Sequence, residues 1–155
     1  MLAIDSQAPD LEIQTHLGFK GPLRAMWEEG PLVLFFYPKD DTRICTAQAC
    51  ALESKLAEFG KIGVNVLGVS LGNLKSKQRF ASKHSLNFPL AVDEKGEIVR
   101  AYESMRSLLI LNLPKRITYV IGSDGLIKGR VHQEFNVGDH LNMIWNKLDQ
   151  LKSAS

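Results

Sequence analysis

The stretch VLFFYPKDDTRICTAQACAL, residues 33–52, holds both cysteines of a chain of 155 residues. An apolar run of strand length, residues 31–37, opens it, and such a run is typical of a strand buried on both faces of a sheet. A short polar segment then leads to Thr42, whose hydroxyl we expect to cap a helix by accepting from free backbone N–H groups. A buried strand, a polar loop and a helix carrying both cysteines are therefore predicted.

The rest of the chain alternates predicted strands and helices. The cysteine-bearing helix extends to Phe59, since apolar residues recur at helical spacing up to that position. Further strands are predicted at residues 11–14, 64–71, 88–92, 116–122 and 126–132, and further helices at residues 75–84, 97–102 and 138–151. This order predicts an α/β fold with a central mixed β-sheet flanked by helices on both sides, a plan that thioredoxin-like folds share with other small mixed-sheet folds.

The composition favours one globular domain over residues 1–155. Hydrophobic residues make up 45% of the chain, and the net charge is only +2. Because no run of five like charges occurs, we expect no nucleic-acid partner. The apolar runs are far shorter than the roughly 18 residues of a membrane span, and the N-terminal residues lack a signal-peptide pattern. A cytoplasmic protein without membrane contact is the expectation.

The two cysteines lie at positions with different chemistry. Cys45 is expected in the first turn of its helix, where free N–H groups and the positive end of the helix dipole favour a thiolate. The cations Lys39 and Arg43 are close to it in sequence. Cys50 lies five positions further, so an intact helix would separate the two Cα atoms by roughly 8–9 Å, beyond the roughly 7 Å that a disulfide allows. A disulfide between them therefore requires the first helical turns to unwind.

The residues alone leave other roles open for these thiols. A standing structural disulfide is not expected inside a cell, whereas free cysteines are often simply packed in a core. Zinc is not expected, because the cysteine spacing does not fit a zinc site and the histidines form no H-x₃₋₅-H pair.

Pro38, Thr42 and Cys45, in the pattern P-x₃-T-x₂-C, resemble the active-site signature of the peroxiredoxins. The C-x₄-C arrangement that adds Cys50 is similar to the bacterioferritin comigratory protein, or peroxiredoxin Q, subfamily. The resemblance covers nearly the whole chain through the segments APDLEIQ, LVLFFYPKDDT, GVNVLGVS, FPLAVDEKGEIVRAY and RITYVIGSDGLI. It implies a thioredoxin-like fold and a thiol peroxidase that acts on hydrogen peroxide and organic hydroperoxides without metal, haem or flavin.

The resemblance also implies a role for each matching residue. Cys45 would be the peroxidatic cysteine that becomes a sulfenic acid, and Cys50 would resolve it as a disulfide. Thr42 would bond to thiolate and peroxide, and Pro38 would shield the thiolate from water. Arg116 would stabilise the thiolate and the charge on the leaving oxygen. A thioredoxin-like dithiol would then reduce the disulfide, and resolution within one chain favours a monomer.

The sequence departs from the family pattern beside the cysteine. Arg43 and Ile44 stand where members commonly carry Pro-Gly, and Gln48 stands where many have glutamate. A cation and a β-branched side chain next to Cys45 bear on substrate range rather than on the type of reaction.

Two functions of other classes stay open at this point. One is a non-enzymatic redox sensor, in which a switchable Cys45–Cys50 disulfide reshapes a partner surface. The other is a thioredoxin-fold binding protein whose cysteines only pack.

Overall fold

The computed structural model of the protein describes residues 1–108 and 111–153. In chain order its elements are β1 (Glu12–Gln14), β2 (Lys20–Pro22), a short 3₁₀ helix (Leu23–Met26), β3 (Leu32–Phe36), α1 (Arg43–Lys61), β4 (Asn65–Val69), α2 (Leu74–Lys83), β5 (Leu90–Ala91), α3 (Glu97–Ala101), β6 (Met105–Leu108), β7 (Leu111–Pro114), β8 (Ile117–Ile121), β9 (Ile127–His132) and α4 (Val137–Ser153). Within the described residues, no helix is long and apolar enough to cross a membrane.

A mixed sheet forms the centre of the fold, with the strand order β5-β4-β3-β8-β9. The central strand β3 pairs in parallel with β4 and antiparallel with β8. Its residues are 0% exposed, as expected for an uninterrupted apolar run in the middle of a sheet. The predicted strands at residues 116–122 and 126–132 correspond to β8 and β9, which the turn Ser123-Asp124-Gly125 joins in antiparallel pairing.

Helices cover both faces of this sheet, as the element order predicts. Successive side chains of a strand face opposite sides, and β3 uses both. Leu34 and Phe36 pack in a cluster with α3 and the N-terminal segment, whereas Val33 and Phe35 pack in a second cluster with α1, α2 and α4. After the C-terminal end of β3, the chain therefore enters α1, which packs on the fully buried side chains of the sheet.

Some short elements do not follow from the sequence pattern. β2 pairs antiparallel with β1, and β6 pairs antiparallel with β7, and neither β2 nor the β6–β7 pair was predicted. The strand predicted at residues 88–92 is shorter than expected, because only Leu90 and Ala91 pair with β4. These elements have few residues, so their local pattern is weak and their pairing depends on tertiary neighbours.

Candidate active site

The loop of residues 37–42 carries the chain from β3 into α1 and places Cys45 in the first turn of that helix. Cys45 is 1% exposed and packs in the cluster between the sheet and α1. The first turn of a helix has backbone N–H groups without intrahelical partners, and its positive dipole end favours an anion. The sulfur is thus withdrawn from water at a position that stabilises a thiolate.

Arg116 is the cation that contacts this sulfur. It precedes β8, is 4% exposed, and donates from Nη2 to Cys45 Sγ at 3.3 Å. Its other terminal nitrogen, Nη1, donates to Gln48 Oε1 at 2.8 Å. Because β8 pairs directly with β3, the sheet brings Arg116 beneath the start of α1 although 71 positions separate it from Cys45.

Glu134 fixes the orientation of Arg116. The backbone carbonyl of Glu134 accepts from Arg116 Nε at 2.8 Å, and its carboxylate accepts from the Arg116 backbone N–H at 3.3 Å. The same carboxylate accepts from Arg106 at 2.8 Å and contacts His132 at 3.0 Å. Burial raises the pKa of Glu134, but the bonds from His132 and the Arg116 backbone and the charge of Arg106 outweigh it and hold that pKa below its ordinary value.

Thr42 stands at the N-cap position, yet its side chain caps nothing. The structure gives α1 no side-chain capping bond at Thr42. Instead Thr42 Oγ1 donates to the carbonyl of Lys39 at 3.0 Å, within the loop. The prediction of a capping hydroxyl is therefore wrong, because the loop closes on itself through that side chain. With its proton directed at Lys39, the hydroxyl oxygen keeps lone pairs that can accept a hydrogen bond.

The other residues of the loop and helix start frame the site without contacting the sulfur through hydrogen bonds. Pro38 is half-buried where the loop begins, and Ile44 is half-buried beside Cys45. Lys39 and Arg43 are exposed, and within residues 1–108 and 111–153 neither forms an ion pair. The nearby cations in the sequence are thus not the ones that reach the thiol.

Cys50 lies further along the same unbroken helix and is exposed. Both cysteines are free in this conformation. This is the arrangement expected from their spacing on an intact helix.

Gln48 is a site residue to which the sequence assigned no role. It is 1% exposed, and its Nε2 finds no hydrogen-bond partner among the described residues. An unpaired buried donor costs on the order of 1–3 kcal/mol. Its position three residues after Cys45 was the available signal, since such residues share a helix face. The site therefore holds a free amide donor on the side chain that binds Arg116.

Most of the chain is similar in sequence to a known protein family and to several of its members. The model of the AhpC/TSA family matches residues 4–130. The chloroplastic Peroxiredoxin Q of Sedum lineare is 37% identical over 122 residues, which are 79% of this chain and 65% of that protein. A putative peroxiredoxin of Mycobacterium tuberculosis is 29% identical over 146 residues, 94% of this chain and 95% of that protein. The chain thus spans less than two thirds of the plant relative and nearly all of the bacterial one.

Two solved structures share this fold. The crystal structure of peroxidoxin BcpB from Mycobacterium tuberculosis superposes with a TM-score of 0.87 and 27% identity, covering 100% of this chain and 99% of that one. The bacterioferritin comigratory protein of Xanthomonas campestris gives a TM-score of 0.81 and 27% identity, with 90% of each chain covered. The chain therefore belongs to the AhpC/TSA family, as a peroxiredoxin of the bacterioferritin comigratory protein and peroxiredoxin Q group with a thioredoxin-like fold.

Proposed function

We propose that the protein is a thiol peroxidase that reduces hydrogen peroxide and organic hydroperoxides through Cys45. The observation that carries the proposal is the contact between Arg116 Nη2 and Cys45 Sγ, 3.3 Å long and buried at a helix start. A thiolate there is stabilised by a full positive charge and by the helix dipole. The comigratory protein of Xanthomonas campestris, a structural relative, is described for its alkyl peroxide reduction activity.

The first step transfers one oxygen to sulfur. The thiolate of Cys45 attacks the terminal oxygen of the hydroperoxide, an S–O bond forms, and the O–O bond breaks. The leaving alkoxide or hydroxide takes up a proton, so that the peroxide is reduced by two electrons and Cys45 becomes a sulfenic acid. Arg116 stabilises both the attacking thiolate and the negative charge on the leaving oxygen.

Thr42 and Pro38 have supporting roles in this proposal. Because the Thr42 hydroxyl donates to Lys39, it meets the peroxide as an acceptor and receives the O–H of the substrate. Pro38 has no N–H and is half-buried where the loop begins, and its role in the proposal is to limit the access of water to the thiol.

The second step joins the two cysteines. The Cys50 thiolate attacks the sulfenic sulfur, an S–S bond forms, and hydroxide leaves as water after protonation. Since both residues lie on α1, the start of the helix must unwind before the sulfurs can meet.

The cycle closes with an external dithiol, which we propose is thioredoxin. Exchange through a mixed disulfide returns both thiols and oxidises the donor. The cycle uses no bound metal or organic cofactor. We further propose that the protein works as a monomer in the cytoplasm, because the resolving thiol comes from the same chain.

A coupled assay tests the function. Wild-type protein, thioredoxin, thioredoxin reductase and NADPH are mixed with hydrogen peroxide or cumene hydroperoxide, and NADPH consumption is followed. We expect sustained turnover from the wild type and none from Cys45→Ser. Cys50→Ser should be oxidised once at Cys45 and then stop, because nothing resolves the sulfenic acid.

Intact-protein mass spectrometry provides the control for each variant. It should show a peroxide-dependent Cys45–Cys50 disulfide only in the wild type. Full turnover by both serine variants would contradict the assignment. One oxidation of the wild type without recycling would instead support a redox sensor.

A further inference from the structure

Lys77, on α2, is a buried ionisable group that the proposed cycle does not use. Its side chain is 0% exposed, although lysine is rarely fully buried unless it is paired. The Nζ atom reaches the two carboxylate oxygens of Asp40 at 3.1 and 3.0 Å. It also donates to Ser70 Oγ and, at 3.2 Å, to the carbonyl of Leu71. Burial lowers the pKa of Lys77, and the charge of Asp40 opposes this.

Asp40 is the partner through which Lys77 acts on the loop. Its carboxylate also accepts from the hydroxyl of Tyr37 at 2.6 Å and from Ser70 Oγ at 3.3 Å. Lys77 Nζ further lies 5.4 Å from the centre of the Tyr37 ring. Because Asp40 belongs to the loop of residues 37–42, these bonds tie the loop to α2 and to the end of β4.

The loop and the helix start need such an anchor. α1 begins without a side-chain cap and without an acidic residue in its first turn. Asp41 has a φ of 61°, in the left-handed region that residues other than glycine seldom adopt. Its carboxylate is held by Lys83 at 2.7 Å and His84 at 2.9 Å, and the exposed Lys83 pair contributes little. Local sequence alone therefore stabilises this helix start weakly.

We propose that Lys77, through Asp40, is a positioning residue that holds the loop of residues 37–42 and keeps the start of α1 helical. The inference rests on the proposed function of Cys45, since it concerns the balance between the two steps of that cycle. Peroxide attack needs Cys45 at the helix start beside Arg116. Disulfide formation needs the same turn unwound. An anchor that favours the helical state therefore favours the first step over the second.

Loosening the anchor should change the two steps in opposite directions. A smaller helical population lowers the rate of Cys45 oxidation by peroxide. A larger unwound population raises the rate at which Cys50 reaches the sulfenic acid. Faster resolution leaves less time for a second peroxide to convert the sulfenic acid to sulfinic acid. A general loss of stability would lower both rates and would not produce this split.

The test is Lys77→Met, which keeps an unbranched side chain of similar length and removes its charge. We expect Cys45 oxidation to slow by about tenfold, disulfide formation to speed up by about threefold, and the sulfinic fraction in excess peroxide to fall. Rapid-quench mass spectrometry separates the thiol, sulfenic, disulfide and sulfinic forms. Lys75→Met is the matched control, because Lys75 is exposed on the same helix and should leave both rates unchanged.

Asp40→Asn is the second variant, because it removes the same charge pair from the loop side while keeping the shape of the side chain. It should give the same split and carries the test if Lys77→Met does not fold. Unchanged rates in the two variants, or equal slowing of both steps, would overturn the proposal. A wild type whose Cys45 is never oxidised by peroxide would overturn the proposed function instead, so the two failures are distinguishable.

Discussion

Two buried cations flank the start of α1, and they use their charge differently. Arg116 is 4% exposed, and its Nε donates to the backbone carbonyl of Glu134, whereas the fully buried Lys77 forms an ion pair with the carboxylate of Asp40. Arg116 keeps one terminal nitrogen for Cys45. The bonds of Lys77 all go to the loop and to the end of β4.

The shapes of the two cations explain this difference. A guanidinium is a planar fork with five donors, so it can be anchored at Nε while Nη1 and Nη2 face other partners. An ammonium is a compact point charge whose three donors are readily consumed by a carboxylate and its neighbours. Arg116 can therefore act on the reacting sulfur, whereas Lys77 acts on the conformation of the loop that leads to it.

Substitution of Arg116 should lower the rate of Cys45 oxidation more than any other change proposed for the two cations. Arg116→Met should lower the second-order rate constant of Cys45 oxidation by about 10²–10³-fold, because it removes the charge that stabilises thiolate and leaving oxygen. Arg116→Lys should recover little of this, since an ammonium cannot hold Glu134 and the sulfur with the same geometry.

Stopped-flow measurement of Cys45 oxidation checks both variants. Lys115→Met is the control, because it removes a neighbouring cation that makes no ion pair among the described residues. A wild-type rate of Cys45 oxidation in Arg116→Lys would show that the positive charge alone matters and that the planar shape of the guanidinium does not.

A smaller effect is expected where Arg116 meets Gln48. Gln48→Glu places a second anion on the guanidinium and next to the thiolate, so less thiolate should form. In a Cys50→Ser background, iodoacetamide should alkylate Cys45 about tenfold more slowly at pH 6. Gln48→Met is the neutral control and should change the rate less. Equal alkylation rates for Gln48→Glu and its parent protein would mean that Arg116 is not shared between the side chain at position 48 and Cys45.

A modest pH dependence of stability is expected from His140, which lies near Arg116. His140 is 1% exposed, bonded to Thr118 Oγ1 at 2.7 Å and to the carbonyl of Gln133 at 2.8 Å, next to Glu134 in sequence. Burial lowers the pKa of His140, and the charge of Arg116 adds to this. The folded protein thus holds a neutral imidazole that the unfolded chain protonates near pH 6.5.

The sign of the pH dependence follows from that difference. The contribution of His140 to stability is complete above about pH 6.5 and is lost as the pH falls below that value. Urea unfolding at pH 7.5 and pH 5.5 should show a larger loss of stability for the wild type than for His140→Gln. Parallel losses in the two proteins would contradict the assignment.

Strong local patterns in the sequence predicted the central strands and the long helix α1. The apolar runs at β3, β4 and β8 and the helical spacing of α1 each hold a long uniform signal, and the structure has these elements. The β6–β7 pair and the pairing of β1 with β2 join strands of only three or four residues, so no local period reveals them.

Only some residues of the site could likewise be predicted from the sequence. The resemblance to the peroxiredoxins implied that Arg116 stabilises the thiolate of Cys45, and the structure brings the two residues together. The sequence did not predict Glu134, nor the bond from Lys77 to Asp40, because each joins residues from different elements through tertiary packing. The predicted cap by the Thr42 hydroxyl was wrong, because a hydroxyl at an N-cap position can equally donate to a loop carbonyl.

The uncapped beginning of α1 has a consequence for how this chemistry could be transplanted. A peptide with the sequence TRICTAQAC would carry Thr42 and both cysteines, yet short isolated helices are marginal in water even when well capped. Nothing in such a peptide would replace Arg116 or Lys77. The reactivity of this thiol belongs to the folded domain around the motif, and grafting it onto another scaffold means grafting the two cations with it.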